Sequence, residues 1–158
     1  MGASGWEYIT PFDGSVERAL GNLHAQVFQQ EYGDDDTYET LEDLYADEEF
    51  MEEEGTHSIL DIKRVVHTTR PPSERRAKDY GSLRPLAPDR AAHQFGTDRP
   101  SPEQFQARLD EAYERKSGRT HPTEDLIEEC RMRWTGLYVV LYTGDEPTHL
   151  GIFGYSGD

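Results

Sequence analysis

The chain has 158 residues, of which 32 are acidic and 16 are basic, and it contains one cysteine. This length supports one domain with its own hydrophobic core, and a single cysteine cannot form an internal disulfide bond. No apolar run approaches the roughly 20 residues of a membrane-spanning helix, and the first residues lack the basic and apolar regions of a signal peptide. We therefore predict a single-domain cytosolic protein that does not enter the membrane.

The formal net charge of −16 is unevenly distributed along the chain. Residues 1–62 contain 17 acidic residues and one basic residue, whereas residues 63–119 contain 13 basic and 8 acidic residues. A surface with this overall charge repels nucleic acid and anionic lipid and attracts basic proteins. The composition thus predicts no nucleic-acid or membrane partner and favours a basic protein partner.

A strand and two helices are predicted in the first third of the chain. Residues 6–10 form a short alternating run that stops at a proline, which is typical of an edge strand. Apolar residues then recur at helical spacing up to Gly33, in a helix capped by Asp13 or Ser15. A second, acidic helix is predicted over residues 34–54, where 12 of the 21 side chains are acidic.

The middle of the chain contains an apolar segment and a segment rich in proline and arginine. Residues 57–67 carry more apolar side chains than one face of a strand can hold, which is typical of a central strand covered on both sides or of a strand with a bulge. Residues 69–88 predict a long loop, and a loop of this length is usually functional or disordered.

Two or three helices and a β-hairpin complete the chain. Helices are predicted over residues 88–95 and from Ser101 to Gly118, and a further helix is predicted to begin near Thr123. The densest apolar segment, residues 134–158, reads as two strands joined by a turn. The predicted fold is an α+β domain with four or five helices on one face of the sheet and aromatic side chains on the other. Its sheet has about four mainly antiparallel strands, at residues 6–10, 57–67, 135–143 and 148–156.

The best catalytic candidate is a set of two histidines and one aspartate. His57 and Asp61 share a face of a regular strand, and His149 can join them if the last strand is a neighbour. Imidazole and carboxylate groups suit acid–base catalysis or zinc binding. His67 lies about 33 Å from His57 along an extended strand and cannot share that site. With no nucleotide-binding or specific metal-binding motif, the sequence predicts no cofactor and no metal.

Two charged segments supply the binding candidates. The leading interpretation is an immunity- or antitoxin-type inhibitor, or an adaptor, whose acidic helix engages a basic protein partner. The residues predicted to bind that partner are Glu39, Glu42, Asp43, Asp47, Glu49 and Glu53. The alternative is an enzyme or small-molecule-binding domain with a pocket between the aromatic sheet face and the arginine-rich loop, where a small anionic ligand is held. The residues predicted to hold this anion are Arg70, Arg75, Arg76 and Arg84. In a third interpretation, the basic loop folds back and neutralises the acidic helix.

Overall fold

A computed structural model defines the fold over residues 4–34, 36–117 and 125–157. Within these ranges the chain forms one five-stranded sheet and five α-helices. The strands are β1 (Ser4–Pro11), β2 (Arg64–Val65), β3 (Ser82–Pro85), β4 (Thr135–Thr143) and β5 (Glu146–Ser156). The helices are α1 (Val16–Tyr32), α2 (Leu41–Ala46), α3 (Glu48–Glu53), α4 (Pro88–Phe95) and α5 (Pro102–Ser117). Short 3-10 turns lie at Ile59–Asp61, Ala77–Asp79 and Leu126–Glu129.

The strands follow the order β1-β5-β4-β3-β2 across the sheet. The neighbours β1, β5 and β4 are antiparallel, whereas β4, β3 and β2 are parallel. The broad α+β class and the β4–β5 hairpin are therefore confirmed, but the mainly antiparallel sheet of four strands is wrong. Parallel neighbours require crossover connections, and the connection from β3 to β4 contains both α4 and α5.

The predicted strand over residues 57–67 is wrong except at its end. Residues 64–65 form β2, while the turn Ile59–Asp61 is capped by the hydroxyl of Ser58. The apolar side chains of Ile59, Leu60 and Ile62 are fully buried, because the turn inserts them into the core beneath α1. A short apolar run gives the same pattern in a buried turn as in a buried strand, so periodicity could not distinguish the two.

Strand β3 lies inside the segment that was predicted to be a loop over residues 69–88. It pairs with β2 on one side and with β4 on the other, and its residues Ser82, Leu83 and Arg84 are buried. Four residues that include a charged side chain and end in proline give no strand signal of their own. This segment becomes a strand because its backbone pairs with β4 and because Asp79 is an internal partner for the guanidinium of Arg84.

Both faces of the sheet are covered, which corrects the prediction of helices on one face only. One face packs against α1 and the turn Ile59–Asp61, and the other packs against α4, α5 and the turn Leu126–Glu129. The aromatic side chains of Trp6, Tyr138 and Phe153 are consequently buried in the two cores. No helix among the described residues combines the length and the apolarity needed to cross a bilayer.

Local capping signals explain the helix boundaries. Ser15 accepts a hydrogen bond from the amide of Arg18 at the start of α1, and Ser101 does the same for Gln104 in α5. Gly96 adopts a left-handed conformation, with φ of 73°, after α4. The predicted helix near residue 123 is instead the 3-10 turn Leu126–Glu129, and residues 118–124 lie outside the described residues.

The acidic segment forms two short helices and not the single helix predicted over residues 34–54. Thr40 and Asp43 form a capping box at the start of α2. Asp47 ends α2 and caps α3, because its carboxylate accepts from the amide of Phe50 at 3.1 Å. A new N-cap inside the segment interrupts the helical hydrogen bonds and starts a second helix.

Candidate functional site

The acidic surface comprises nine carboxylates on α2, α3 and the residues beside them. These residues are Glu39, Glu42, Asp43, Asp47, Glu48, Glu49, Glu52, Glu53 and Glu54, and all except Asp47 are exposed. Within the described ranges, none of these carboxylates lies within ion-pair distance of a lysine, arginine or histidine. The interpretation in which the basic loop neutralises the acidic helix is therefore wrong. The arginine-rich segment instead binds its own aspartate, Asp79.

An aromatic cluster holds the acidic surface against α1. The ring of Tyr32 lies 6.3 Å from that of Tyr38 and 6.1 Å from that of Phe50, and Leu44 beside them is fully buried. The hydroxyl of Tyr38 donates to Asp47 at 2.6 Å. This hydrogen bond, with a second from the Phe50 amide, lowers the pKa of Asp47. Of the six carboxylates predicted to bind a partner, Asp43 and Asp47 therefore also have structural roles as helix caps.

The predicted catalytic set is not brought together. Asp61 is buried and accepts hydrogen bonds from the hydroxyls of Thr56 and Ser156. His149 lies seven residues before Ser156 on β5, a separation of about 23 Å at the rise of a strand. His149 therefore lies far from Asp61, towards the opposite end of that strand.

His57 also lacks the partners that the catalytic interpretation requires. Its backbone has a positive φ of 43°, and its ring contacts that of Trp134, which has a positive φ of 63°. The His57 Nδ1 atom is buried and has no hydrogen-bond partner among the described residues. The same part of the chain contains no group of three or more histidine, cysteine, aspartate or glutamate side chains that could hold a metal ion.

Asp79 organises the predicted anion-binding arginines. Its carboxylate lies 3.0 Å from Nη2 of Arg84 and 3.3 Å from Nε of Arg76, and it accepts from the backbone amide of Ser73 at 2.8 Å. The Ser73 amide, followed by the two guanidinium groups, lowers the pKa of Asp79. Burial lowers the pKa of Arg84, although Asp79 opposes this effect. Arg76 and Arg84 therefore stabilise the arginine-rich segment through Asp79, and their guanidinium groups are already engaged within the protein.

The remaining two predicted arginines occupy different environments. Arg70 is exposed, and its backbone carbonyl accepts a hydrogen bond from Nη1 of Arg84 at 3.0 Å. Its side chain lines a cleft of about 730 Å³, together with that of Arg84. Arg75 is exposed and does not line this cleft. The four arginines thus do not form one anion-binding cluster.

The cleft lies between three segments of the fold. Its walls are residues 69–72 and 74, residues 84–87 with Arg90, and residues 128, 129, 131, 132 and 137. Its position differs from the prediction, because its lining among the described residues contains no aromatic side chain, and Trp6, Tyr138 and Phe153 are buried in the core. We call it the β3 cleft, since it contains the last two residues of β3.

An ion pair that the sequence did not reveal closes one side of the β3 cleft. Nε of Arg90 donates to Glu129 at 3.0 Å, and Nη2 donates to the same carboxylate at 2.6 Å. Burial raises the pKa of Glu129, but the hydrogen bonds from Arg90 and Gln94 outweigh this effect, and the net direction is downward. Arg90 and Glu129 are separated by 39 residues, so no local spacing could have predicted the pair.

Two candidate surfaces therefore emerge from the fold, the acidic surface and the β3 cleft. They consist of different residues and are built on different elements.

No protein-family model matches the chain, and neither a curated protein nor a solved structure is significantly similar to it.

Proposed function

We propose that this protein binds a basic protein partner through the acidic surface, as an inhibitor of the immunity or antitoxin type or as an adaptor. The observation that carries this proposal is the absence of internal cation partners for the nine carboxylates within the described residues. Unpaired surface carboxylates leave a negative field that extends into solvent and attracts a positively charged protein.

The arrangement of these charges opposes local stability. Glu52, Glu53 and Glu54 lie at the end of α3, where the helix dipole disfavours negative charge. Each unfavourable charge at a helix C-terminus costs about 0.3–1 kcal/mol. A basic partner would relieve both this cost and the mutual repulsion of the carboxylates, which favours a binding role for the surface.

The mode of attachment also suits a binding surface. Leu44 and the aromatic rings of Tyr32, Tyr38 and Phe50 anchor α2 and α3 on the folded body. A surface that is already ordered loses little conformational entropy on binding. Because the field of exposed charges is screened over about 10 Å at 0.1 M salt, association should slow as salt is added.

A comparison of two variants with equal net charge tests the proposal. The surface variant reverses four exposed carboxylates without a capping role: Glu39→Lys, Glu42→Lys, Glu49→Lys and Glu53→Lys. The control variant reverses four exposed carboxylates elsewhere: Asp98→Lys, Glu103→Lys, Asp110→Lys and Glu146→Lys. Each protein is immobilised and incubated with native lysate, and captured proteins are quantified by mass spectrometry at low and high salt.

We expect the wild type and the control variant to capture the same basic protein and the surface variant to lose it. Thermal unfolding should show that the surface variant is folded, so that the loss reports on binding. A partner captured equally by both variants would show that overall charge, or another surface, is responsible. Capture that does not respond to salt would also contradict the electrostatic basis of the proposal.

A further inference from the structure

A buried guanidinium group with an unused donor lies in the wall of the β3 cleft. Arg84 is 3% exposed, and its Nη1 and Nη2 atoms donate to the carbonyl of Arg70 and to Asp79 at 3.0 Å each. Its Nε atom is also buried but has no acceptor among the described residues. Buried donors are nearly always hydrogen-bonded, because an unsatisfied one loses its interaction with water and gains nothing in return. An acceptor from a bound ligand would satisfy the unused donor of Arg84, since the described residues provide none.

Helix α4 adds a second source of positive potential to the cleft. Its N-cap residue is Ala87, which lines the cleft and has no side chain that can accept from the amides of the first turn. Helix α4 has eight residues and starts with Pro88. The N-terminus of a helix carries a partial positive charge and favours anions. Asp89 lies in the same first turn and its carboxylate offsets part of this charge, so the start of α4 supports anion binding by Arg84 but does not carry it.

Two further guanidinium groups at the cleft have no ion pair within the described residues. Arg70 and Arg131 line the cleft at exposed positions, whereas the charge of Arg90 is balanced by Glu129. The lining also includes the exposed carboxylates of Glu74 and Glu128. Among the lining residues four guanidinium groups face three carboxylates, and Asp79 behind the wall pairs with Arg84, so the cleft is close to neutral in a chain of net charge −16. Such a balance suits one anionic group and disfavours a polyanion.

The rest of the lining is apolar. Pro71, Pro72, Leu86, Met132 and Leu137 contribute to the walls. The cleft volume of about 730 Å³ is in the usual range for small-molecule sites, which combine apolar walls with a few convergent polar groups. The cleft is therefore suited to a ligand with an apolar body.

The topology is consistent with this assignment. The walls include Pro85 and Leu86, at the carboxyl end of β3, and Thr69, four residues after the end of β2. These strands are parallel neighbours. In sheets with parallel strands, ligands commonly bind beyond the carboxyl ends of the strands.

From this geometry we infer that the β3 cleft binds a small organic anion, with one carboxylate or phosphate group and an apolar body. The anionic group contacts Arg84, Arg70, Arg131 and the start of α4, while the body packs on Leu86 and Leu137. This inference does not rest on the proposed partner binding, because the cleft and the acidic surface share no residue.

The test uses the full-length protein and simple probes in protein-observed NMR titrations. Phenyl phosphate and benzoate present the two anionic groups on an aromatic body, benzyl alcohol is the neutral analogue, and inorganic phosphate lacks the body. We expect phenyl phosphate, benzoate or both to shift the resonances of cleft residues, and benzyl alcohol to produce no such shifts. Inorganic phosphate should bind at least about tenfold more weakly than the aromatic anion, because it cannot pack on the apolar wall.

Matched variants identify the groups that hold the anion. Because Arg84 also balances Asp79, its replacement endangers the fold, and the exposed Arg70 and Arg131 carry the test instead. Arg70→Gln and Arg131→Gln should each weaken binding by about tenfold or more, as expected for the loss of a hydrogen bond to a charged group. Arg75→Gln removes an exposed charge from the same segment but outside the cleft, and it should leave the affinity unchanged.

Three results would overturn the inference. The first is the absence of cleft shifts with both aromatic anions up to about 10 mM, a concentration at which even weak recognition is visible. The second is equal binding of the anions and benzyl alcohol, and the third is an equal loss of affinity in Arg75→Gln and Arg70→Gln. All of these measurements are independent of partner capture, so failure here leaves the role of the acidic surface untouched.

Discussion

Replacing Ser156 with alanine should test whether Asp61 has a structural role. The Ser156 hydroxyl is fully buried and donates to the Asp61 carboxylate, while it accepts from the indole nitrogen of Trp6 at 3.2 Å. Ser156→Ala removes the partner of the Trp6 indole and of one Asp61 oxygen at once, while Thr56 still donates to the other oxygen. Each buried polar group left unsatisfied costs about 1–3 kcal/mol, so the variant should lose about 2–6 kcal/mol of its free energy of unfolding. This loss is a large fraction of the total for an ordinary domain.

The assay is urea unfolding followed by far-ultraviolet circular dichroism. A loss of this size should move the midpoint by roughly 1–3 M, since the slope for a domain of this length is about 2 kcal/mol per molar urea. Trp6→Phe removes the indole donor, so Ser156→Ala should cost less in that background, by about 1 kcal/mol or more. Thr148→Val is the control, because the Thr148 hydroxyl lies near the surface of the β-hairpin and its loss should change stability by about 0.5 kcal/mol or less.

The reasoning is refuted if Ser156→Ala stays within about 0.5 kcal/mol of the wild type. Additive effects of Ser156→Ala and Trp6→Phe would show that the two side chains are not energetically coupled. A coupled loss of stability would instead mean that Asp61 links the turn Ile59–Asp61 to the end of β5. Its role is then structural and not proton transfer.

Further predictions concern two glycines, Gly21 and Gly151, and two buried titrating groups, His24 and Cys130. Gly21→Ala should stabilise the protein by about 0.5–1 kcal/mol, because an added Cβ on α1 meets no atom within 4 Å. Gly151→Ala should instead destabilise it by about 1–3 kcal/mol, because the added Cβ would lie 2.7 Å from the ring of Phe105, and thermal unfolding compares the two variants. Burial lowers the pKa of His24 below its ordinary value of 6.5, so the folded state binds its proton less readily than the unfolded state. The free energy of unfolding should therefore be highest above about pH 6.5 and decrease as the pH falls below that value. His24→Leu should reduce this pH dependence, which unfolding curves at several pH values measure. Burial also raises the pKa of the Cys130 thiol, so a thiol reagent at neutral pH should label the folded protein at least about tenfold more slowly than the urea-unfolded protein.

The parts of the fold that could be predicted from the sequence are those set by neighbouring residues. Ser15 and Ser101 cap helices whose first turns directly follow them, and Gly96 stops α4 through its own φ angle. The β4–β5 hairpin has two strands rich in apolar residues around a short turn at Gly144. In each case the signal and the structure lie within a few residues, so the pattern alone was sufficient.

The break between α2 and α3 also has a local signal in the sequence. Thr40 and Asp47 are both good N-cap residues, and their spacing already permits two short helices in place of one. The acidic composition of the segment predicts an exposed surface, and eight of the nine carboxylates of the acidic surface are exposed. The acidic composition therefore predicts the residues of the acidic surface, whereas the break between its helices depends on the two N-caps, which composition does not reveal.

The sequence by itself determined the capped helices, the hairpin and the concentration of negative charge, because caps, turns and alternation act between residues close in the chain. Only the tertiary structure placed β3 inside the sheet, separated Asp61 from His149, and paired Arg90 with Glu129 across 39 residues. Four residues with a buried arginine become a strand only when β2, β4 and Asp79 satisfy their hydrogen bonds and charge. The β3 cleft likewise exists only because crossover connections bring distant segments together, and no pattern along the chain encodes that proximity.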